Sequence, residues 1–466
     1  MNPPGVIVSS VACGAAAFLL YTNLLVVVAQ QGIVPTAAAA IVPGLLFLAV
    51  IHRLVVRREP LIVDRTLLLM LVFLAVFLVS TFTVPGYAEA ISRIVVYVTE
   101  GICIYFLVRN AVRDLPSLRV SAAAVVAAAA LLAALSLVQT GTGNLDQDFL
   151  GLAQRRIEHL EQGGQQLAGP QEMGLEDRAF GPVGDPNRFA QILMMALPLA
   201  FVGWLDGRRW HARMLSCLCL LSILGGIVIT YSRGGFLTLV VLMLMAAPLG
   251  LLRGRTVVAL FAAGIVLTPV LLPGYANRVL SISGVAELLG STQVEADGPT
   301  EGRTTEMLAA LAAFTDHAVL GVGPGQYVSF YSVKYQALPD ISIREIAEPR
   351  RAHNLYLELG AETGTLGLVT FMVIPLLLLR DLRAIRLNLR RRNPALARLC
   401  AAYTLVIFAY LGTGVFLHLA FERYYWFMVG LAAAAAGTLE KRVQEGRAAT
   451  PVPATPGAWT GTATVV

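Results

Sequence analysis

The chain has 466 residues, of which 57% are hydrophobic and only 14% charged, and its mean hydropathy is +0.71. Soluble domains run about 45–50% apolar and about 25% charged, so this composition excludes a disordered, fibrous or nucleic-acid-binding protein and leaves a polytopic membrane protein. The net charge of +6 becomes informative only once it is divided between the two sides of a membrane.

A membrane helix needs about 20 mostly apolar residues. In chain order such runs cover about 6–30, 33–51, 66–84, 91–108, 120–139, 188–205, 214–231, 236–252, 256–272, 354–379, 399–417 and 424–438. The expected fold class is therefore all-α and polytopic, with about 12 transmembrane helices. Five helices occupy 1–139 and a first outer segment 140–187. Helices six to nine occupy 188–272 and a large outer loop 273–352. The last three helices occupy 353–438, followed by a tail, 439–466, which reads as disordered from its Ala, Thr, Pro and Gly content after Gly446. The first run does not read as a signal peptide, because no Lys or Arg precedes Arg53. Cys13, Cys103, Cys217, Cys219 and Cys400 all fall in apolar runs and read as buried space-fillers.

With a cytoplasmic N-terminus, the inward connections 52–65, 109–119, 206–213, 253–255, 380–398 and the tail carry 22 basic residues against seven acids. That bias satisfies the positive-inside rule. It puts both termini in the cytoplasm and the two long segments outside.

Three polar features then gather at the outer face. Tyr231-Ser-Arg-Gly-Gly235 is a tight turn that places Arg233 at a helix end. Glu301-Gly-Arg303-Thr-Thr-Glu opens an amphipathic segment containing Met307, Leu308, Leu311 and Phe314. Arg350-Arg351-Ala-His353-Asn354 precedes the tenth span. Each also has a purely structural reading: Arg233 as a headgroup anchor, Arg303 as a solvated loop charge, His353 as a helix-starting residue bonded to a backbone carbonyl. Asp146-Gln-Asp148 matches a common divalent-metal pattern. It lies where no nucleotide sugar is expected and is not assigned to a site. His52, His211 and His418 are likewise left unassigned.

The stretch from His353 through Gly364-Thr-Leu-Gly367 resembles the signature of the bacterial O-antigen ligase and O-antigen polymerase superfamily. His353, Asn354, Gly364 and Gly367 fit its spacing, whereas Leu368 departs from the small, hydroxylated or tyrosine residue that ligases often have. Ser232-Arg233-Gly234, Arg178-Ala-Phe-Gly-Pro-Val-Gly-Asp185-Pro-Asn187, and Gly302-Arg303 followed by Gly321-Val-Gly-Pro-Gly325 are similar to the family as well.

The resemblance, over about residues 175–375, implies a GT-C type membrane glycosyltransferase fold in the bacterial inner membrane, with the site on the periplasmic side. It implies transfer of a glycan from undecaprenyl diphosphate to a hydroxyl of the lipid A core, or, in a polymerase, to another repeat unit. His353 would take the acceptor proton, as suits a side chain of ordinary pKa about 6.5. Arg303 and Arg233 would meet the charge that develops on the leaving diphosphate, which arginine binds through a planar, permanently charged fork. Arg303 is favoured by its place near a helix start. Arg178, Asn187, Asn354 and Arg351 are the expected substrate-binding residues. The arginines take the place of a metal, so neither metal nor cofactor is expected, and the partners are the lipid-linked donor, the glycan acceptor and membrane lipids. A flippase for lipid-linked sugar is the contrasting reading. It asks for ionisable residues deep in the spans, where only Glu100, Glu358 and Glu362 stand out.

Overall fold

A computed structural model describes residues 4–154, 178–271, 298–343, 348–418 and 423–448. The tail from 449 onward, and with it most of the expected disordered end, lies outside the described residues. So do 155–177 and 272–297, parts of the two long outer segments. Among the described residues the regular secondary structure is helical, apart from one isolated bridge between Gln154 and Gly181.

In chain order the helices are α1 (Pro4–Thr22), α2 (Leu24–Gln30), α3 (Thr36–Val56), α4 (Arg65–Ser80), α5 (Tyr87–Ala111), α6 (Leu115–Thr142), α7 (Pro186–Asp206), α8 (Trp210–Ile229), α9 (Arg233–Ala246), α10 (Gly254–Leu271), α11 (Gly298–Asp316), α12 (Ser332–Gln336), α13 (Leu355–Arg392), α14 (Pro394–Thr413) and α15 (Arg423–Ala448). The helix starts follow from short polar side chains. Asp64, Asp114, Asp185, Ser232, Asn354 and Asn393 each accept a backbone N–H of the first turn. Pro sits in the first turn of α6, α7 and α14, where its missing donor costs nothing.

Every expected apolar run falls on a helix, yet among the described residues seven helices are long and apolar enough to cross a membrane, or eight if the bent pair α1–α2 is one span. Helices α4 and α9 are apolar but have 16 and 14 residues, which at 1.5 Å per residue fall short of a hydrocarbon core about 30 Å thick. Helix α13 runs 38 residues, well past the expected end at 379, and takes in much of the basic 380–398 connection.

Helices α7, α14 and α15 form the centre, with Trp426, Tyr425, Tyr410 and Phe371 fully buried. The Tyr410 and Tyr425 rings stack 4.0 Å apart. On the periphery, Leu68, Leu71 and Val72 of α4 and Leu218 and Leu221 of α8 are exposed, as faces meeting lipid must be. The same geometry corrects the reading of the cysteines. Only Cys13 and Cys400 are buried, whereas Cys217 and Cys219 are half-buried and Cys103 is exposed, because their helices turn those positions outward.

The expected inward connections meet at one end of the bundle. Arg65 pairs with Asp381, Arg398 Nε donates to Asp206 at 2.7 Å, and Arg386 donates to the Leu249 carbonyl at 3.0 Å. Arg53, 1% exposed, bonds the Ala111 carbonyl and pairs with Glu59 at 3.2 Å and Asp114 at 2.6 Å. Burial pushes the Asp114 carboxyl up, but the Ser117 N–H and the Arg53 guanidinium outweigh it, and the net shift is downward. Much of the basic charge at this end is thus paired locally. The six polar segments 178–188, 230–235, 303–306, 321–325, 350–354 and 414–418 meet at the other end.

Candidate functional site

The first residues of α13 are clamped onto the end of α14. Leu355 N donates to Gly414 O at 2.7 Å, Asn354 Nδ2 to Val415 O at 3.0 Å and the Tyr356 hydroxyl to Leu411 O at 2.6 Å. Asn354 Oδ1 meanwhile accepts the Tyr356 and Leu357 N–H groups as the helix cap. These bonds hold His353 at φ +46°, a left-handed backbone that few side chains other than Asn, Asp and Gly adopt readily. Strain of this kind persists only where the surroundings over-determine it.

The His353 ring meets a residue that sequence reading did not single out. Its Nδ1 lies 2.7 Å from Glu306 Oε2 and 3.2 Å from the Arg351 carbonyl. Glu306 is 1% exposed, and Arg350 Nη1 stands 3.7 Å from its other oxygen. A carboxylate and a carbonyl both accept, so Nδ1 carries a proton, and in the neutral ring Nε2 is the nitrogen with the free lone pair. Glu306 follows Arg303 by three residues, so both occupy one face of α11. That spacing is the signal that would have found it. Arg303 itself is half-buried. Because α11 begins at Gly298, Arg303 sits in its second turn, not at the helix start, and the anion-binding advantage of a helix N-terminus does not apply to it. The buried stripe of α11 is Ala309, Ala310 and Ala313, with Phe314 packed against it, while Leu308 and Leu311 are exposed, so the expected apolar face is split.

His418, expected to lie outside the site, packs edge-on against His353 with ring centroids 5.4 Å apart. No local pattern announces it. Arg188 Nη2 lies 3.0 Å from His418 Nε2, and Arg351 Nη1 donates to the His418 carbonyl at 3.3 Å. Arginine only donates, so this Nε2 accepts and the ring is neutral. Burial, then the charges of Arg351, Arg188 and His353, pushes the His418 pKa well below the ordinary value. An unfolded chain binds a proton here that the folded protein refuses, so stability rises with pH up to the ordinary histidine range and falls on acidification below it. Thermal unfolding in detergent between pH 7 and pH 5 is expected to show this slope, and His418→Gln to flatten it. An unchanged slope in the variant would assign the acid sensitivity elsewhere.

Arg351 is buried, with Glu358 Oε1 3.8 Å away, and Glu358 Oε2 accepts the Ala352 N–H at 3.2 Å. Both brace the loop before His353. Arg178, also buried, donates to the Thr230 carbonyl at 2.8 Å and to Asn187 Oδ1 at 3.2 Å. The Ser232 hydroxyl donates to that same oxygen at 2.8 Å. These contacts tie the Asp185-Pro-Asn187 turn to the turn that presents Arg233 at the first position of α9. A side chain at Gly234 would come within 2.8 Å of the Phe416 ring, so this glycine lets α9 abut the loop that carries His418.

The signature glycines build a backbone clasp. Gly364 has φ +63° and ψ −167° and interrupts α13. The 318–323 loop satisfies the groups freed by the break. Val322 and Gly323 donate to Ala361 O and Glu362 O at 2.8 and 2.9 Å, and Thr365 and Leu366 donate to Ala318 O and Val319 O at 2.8 and 3.3 Å. Irregular backbone within a spanning helix is tolerated when protein pairs it in this way. The clasp locks the loop after α11 to α13, and so holds Glu306 against His353.

Fold and site together define a helical, polytopic membrane protein with a cation-rich end built around a histidine and a buried carboxylate. Residues 217–372 match the family model described as O-antigen ligase. Over this third of the chain the protein is similar to that family, and the matched stretch contains Arg233, Arg303, His353, Gly364 and Gly367. No curated protein matches the chain at a significant level.

Proposed function

We propose that the protein is an O-antigen ligase of the inner membrane, with its helices in a GT-C-like arrangement, cytoplasmic termini and a periplasmic site. It transfers glycan from undecaprenyl diphosphate to a hydroxyl of the lipid A core. The observation that carries this reading is the pair of acceptor oxygens beside His353 Nδ1, which favours the neutral tautomer with its proton on Nδ1 and makes Nε2 the nitrogen that acts as the base. Nε2 takes the acceptor hydroxyl proton as its oxygen attacks the anomeric carbon. The carbon–oxygen bond to the diphosphate breaks, and the electron pair leaves on the diphosphate. A single displacement inverts the sugar. Arg303 and Arg233 meet the charge on the leaving group, a task that a divalent cation performs elsewhere. Glu306 orients the imidazole and stabilises its protonated form, while Arg178, Asn187, Asn354 and Arg351 position the loops that carry the reacting groups.

The test is transfer by purified protein with lipid-linked glycan and core acceptor. Arg303→Lys and Arg233→Lys each keep the charge but lose the fork, and each is expected to lower kcat by about 10²-fold or more. Near-normal turnover in both would remove the arginines from the reaction.

A further inference from the structure

Glu100 is one of the few ionisable residues deep within a span, and the site around His353 does not use it. It lies in the π-helical stretch Tyr97–Cys103 of α5, and π-turns within α-helices recur at functional positions. Opposite it, α1 and α2 bend by 49° at Asn23, whose φ is +57°. Arg423, the first residue of α15, joins the two. Its Nη2 donates to Asn23 Oδ1 at 2.7 Å, and its Nη1 stands 3.9 Å from Glu100 Oε1, beyond hydrogen-bond reach. Its Nε is buried with no hydrogen-bond partner among the described residues. These three side chains border a partly open cavity of about 280 Å³ whose other walls are apolar apart from Thr99, with Leu20, Val26 and Val42 among them.

A helix bend at Asn23, a π-turn and an arginine whose buried Nε lacks a hydrogen-bond partner among the described residues therefore meet at one cavity. A buried donor left unpaired is costly. We propose that this cavity is a lipid site, in which Arg423 and Asn23 hold the phosphate of a membrane lipid while the hydrocarbon chain lies against Leu20, Val26 and Val42. A phosphate offers the acceptors that the guanidinium fork lacks here. The apolar walls belong to helices in the bilayer, so the phosphate arrives attached to a chain. Asn23 Nδ2 also donates to Pro182 O at 3.1 Å, three residues before the Asp185 cap, so a bound lipid buttresses the loop that leads to Asn187. The inference does not depend on the role of His353, because the readout is binding.

The test is native mass spectrometry of the full-length protein titrated with dioleoylphosphatidylglycerol, with dioleoylglycerol and inorganic phosphate as competitors. One phospholipid is expected to bind tightly, with neither competitor displacing it. Arg423→Gln should weaken binding about tenfold or more. Glu100→Gln should tighten it, because the competing carboxylate is gone, and a misfolded protein cannot mimic that opposite change. Val26→Trp should weaken binding by filling the cavity. Equal affinity in the wild type, Arg423→Gln and Glu100→Gln would overturn the proposal, as would displacement by dioleoylglycerol. Displacement by inorganic phosphate would make this a free-anion site and overturn it equally.

Discussion

Replacing His353 is expected to lower turnover by about 10²–10⁴-fold, the usual contribution of a positioned general base, while leaving the protein folded. The second half of that expectation rests on the ring being half-buried and touching its neighbours chiefly through Nδ1. Because φ at this position is +46°, alanine adds backbone strain to the loss of the base. His353→Asn is the cleaner variant, since asparagine accepts the left-handed region and has no basic nitrogen. Glu306→Gln separates positioning from chemistry. The amide keeps the size but neither holds the Nδ1 tautomer nor stabilises an imidazolium, so kcat is expected to fall about 10²-fold or more with KM little changed. Glu306→Asp should recover part of the loss. Steady-state transfer by purified variants measures all of this. Near-normal turnover in His353→Asn would end the general-base assignment, and a Glu306→Gln defect confined to KM would end the positioning role.

Gly364→Ala is expected to cause the largest loss of stability. An alanine Cβ would lie 2.2 Å from the Val319 carbonyl oxygen and 2.3 Å from its carbon, so backbone must move. The φ and ψ at this residue are, moreover, essentially confined to glycine. Strain and clash together are expected to cost about 3 kcal/mol or more, seen as a collapse in the yield of monodisperse protein or a large drop in Tm. Gly44→Ala is the informative contrast. An added Cβ there meets nothing within 4 Å, and little or no loss is expected. Equal behaviour of the two variants would argue against the clasp. Surviving Gly364→Ala protein should also lose activity, because the clasp fixes α11 against α13 and thereby Glu306 against His353.

Much of the site was legible along the chain because its motifs are local. Arg233, Arg303 and His353 stood out by their spacings, whereas the break of α13 at Gly364 lay inside a run expected to form one continuous span. The expected substrate contacts read differently in three dimensions. Arg178, Asn187 and Asn354 make polar contacts to backbone, to the Ser232 hydroxyl and to one another, so their types serve loop construction. The expected count of twelve spans exceeded the seven or eight helices among the described residues that are long and apolar enough to cross. An apolar window of about 18 residues in sequence becomes a helix of 14 or 16 once its caps are formed.

The +6 chain of the opening count resolves into two ends. Sequence by itself determined that the protein lives in lipid, which connections are basic, and which histidine and arginines stand out, because those properties depend on composition and on spacings within one turn or one helix. Only the tertiary structure decided that Glu306 and His418 belong with His353, that much of the basic end is internally paired, and that Arg423 faces a cavity with Glu100. Those partners lie 47, 65 and 323 residues apart along the chain. Their meeting depends on how helices pack, which hydrophobic periodicity does not encode: every lipid-facing or buried stripe looks alike until another helix lies against it.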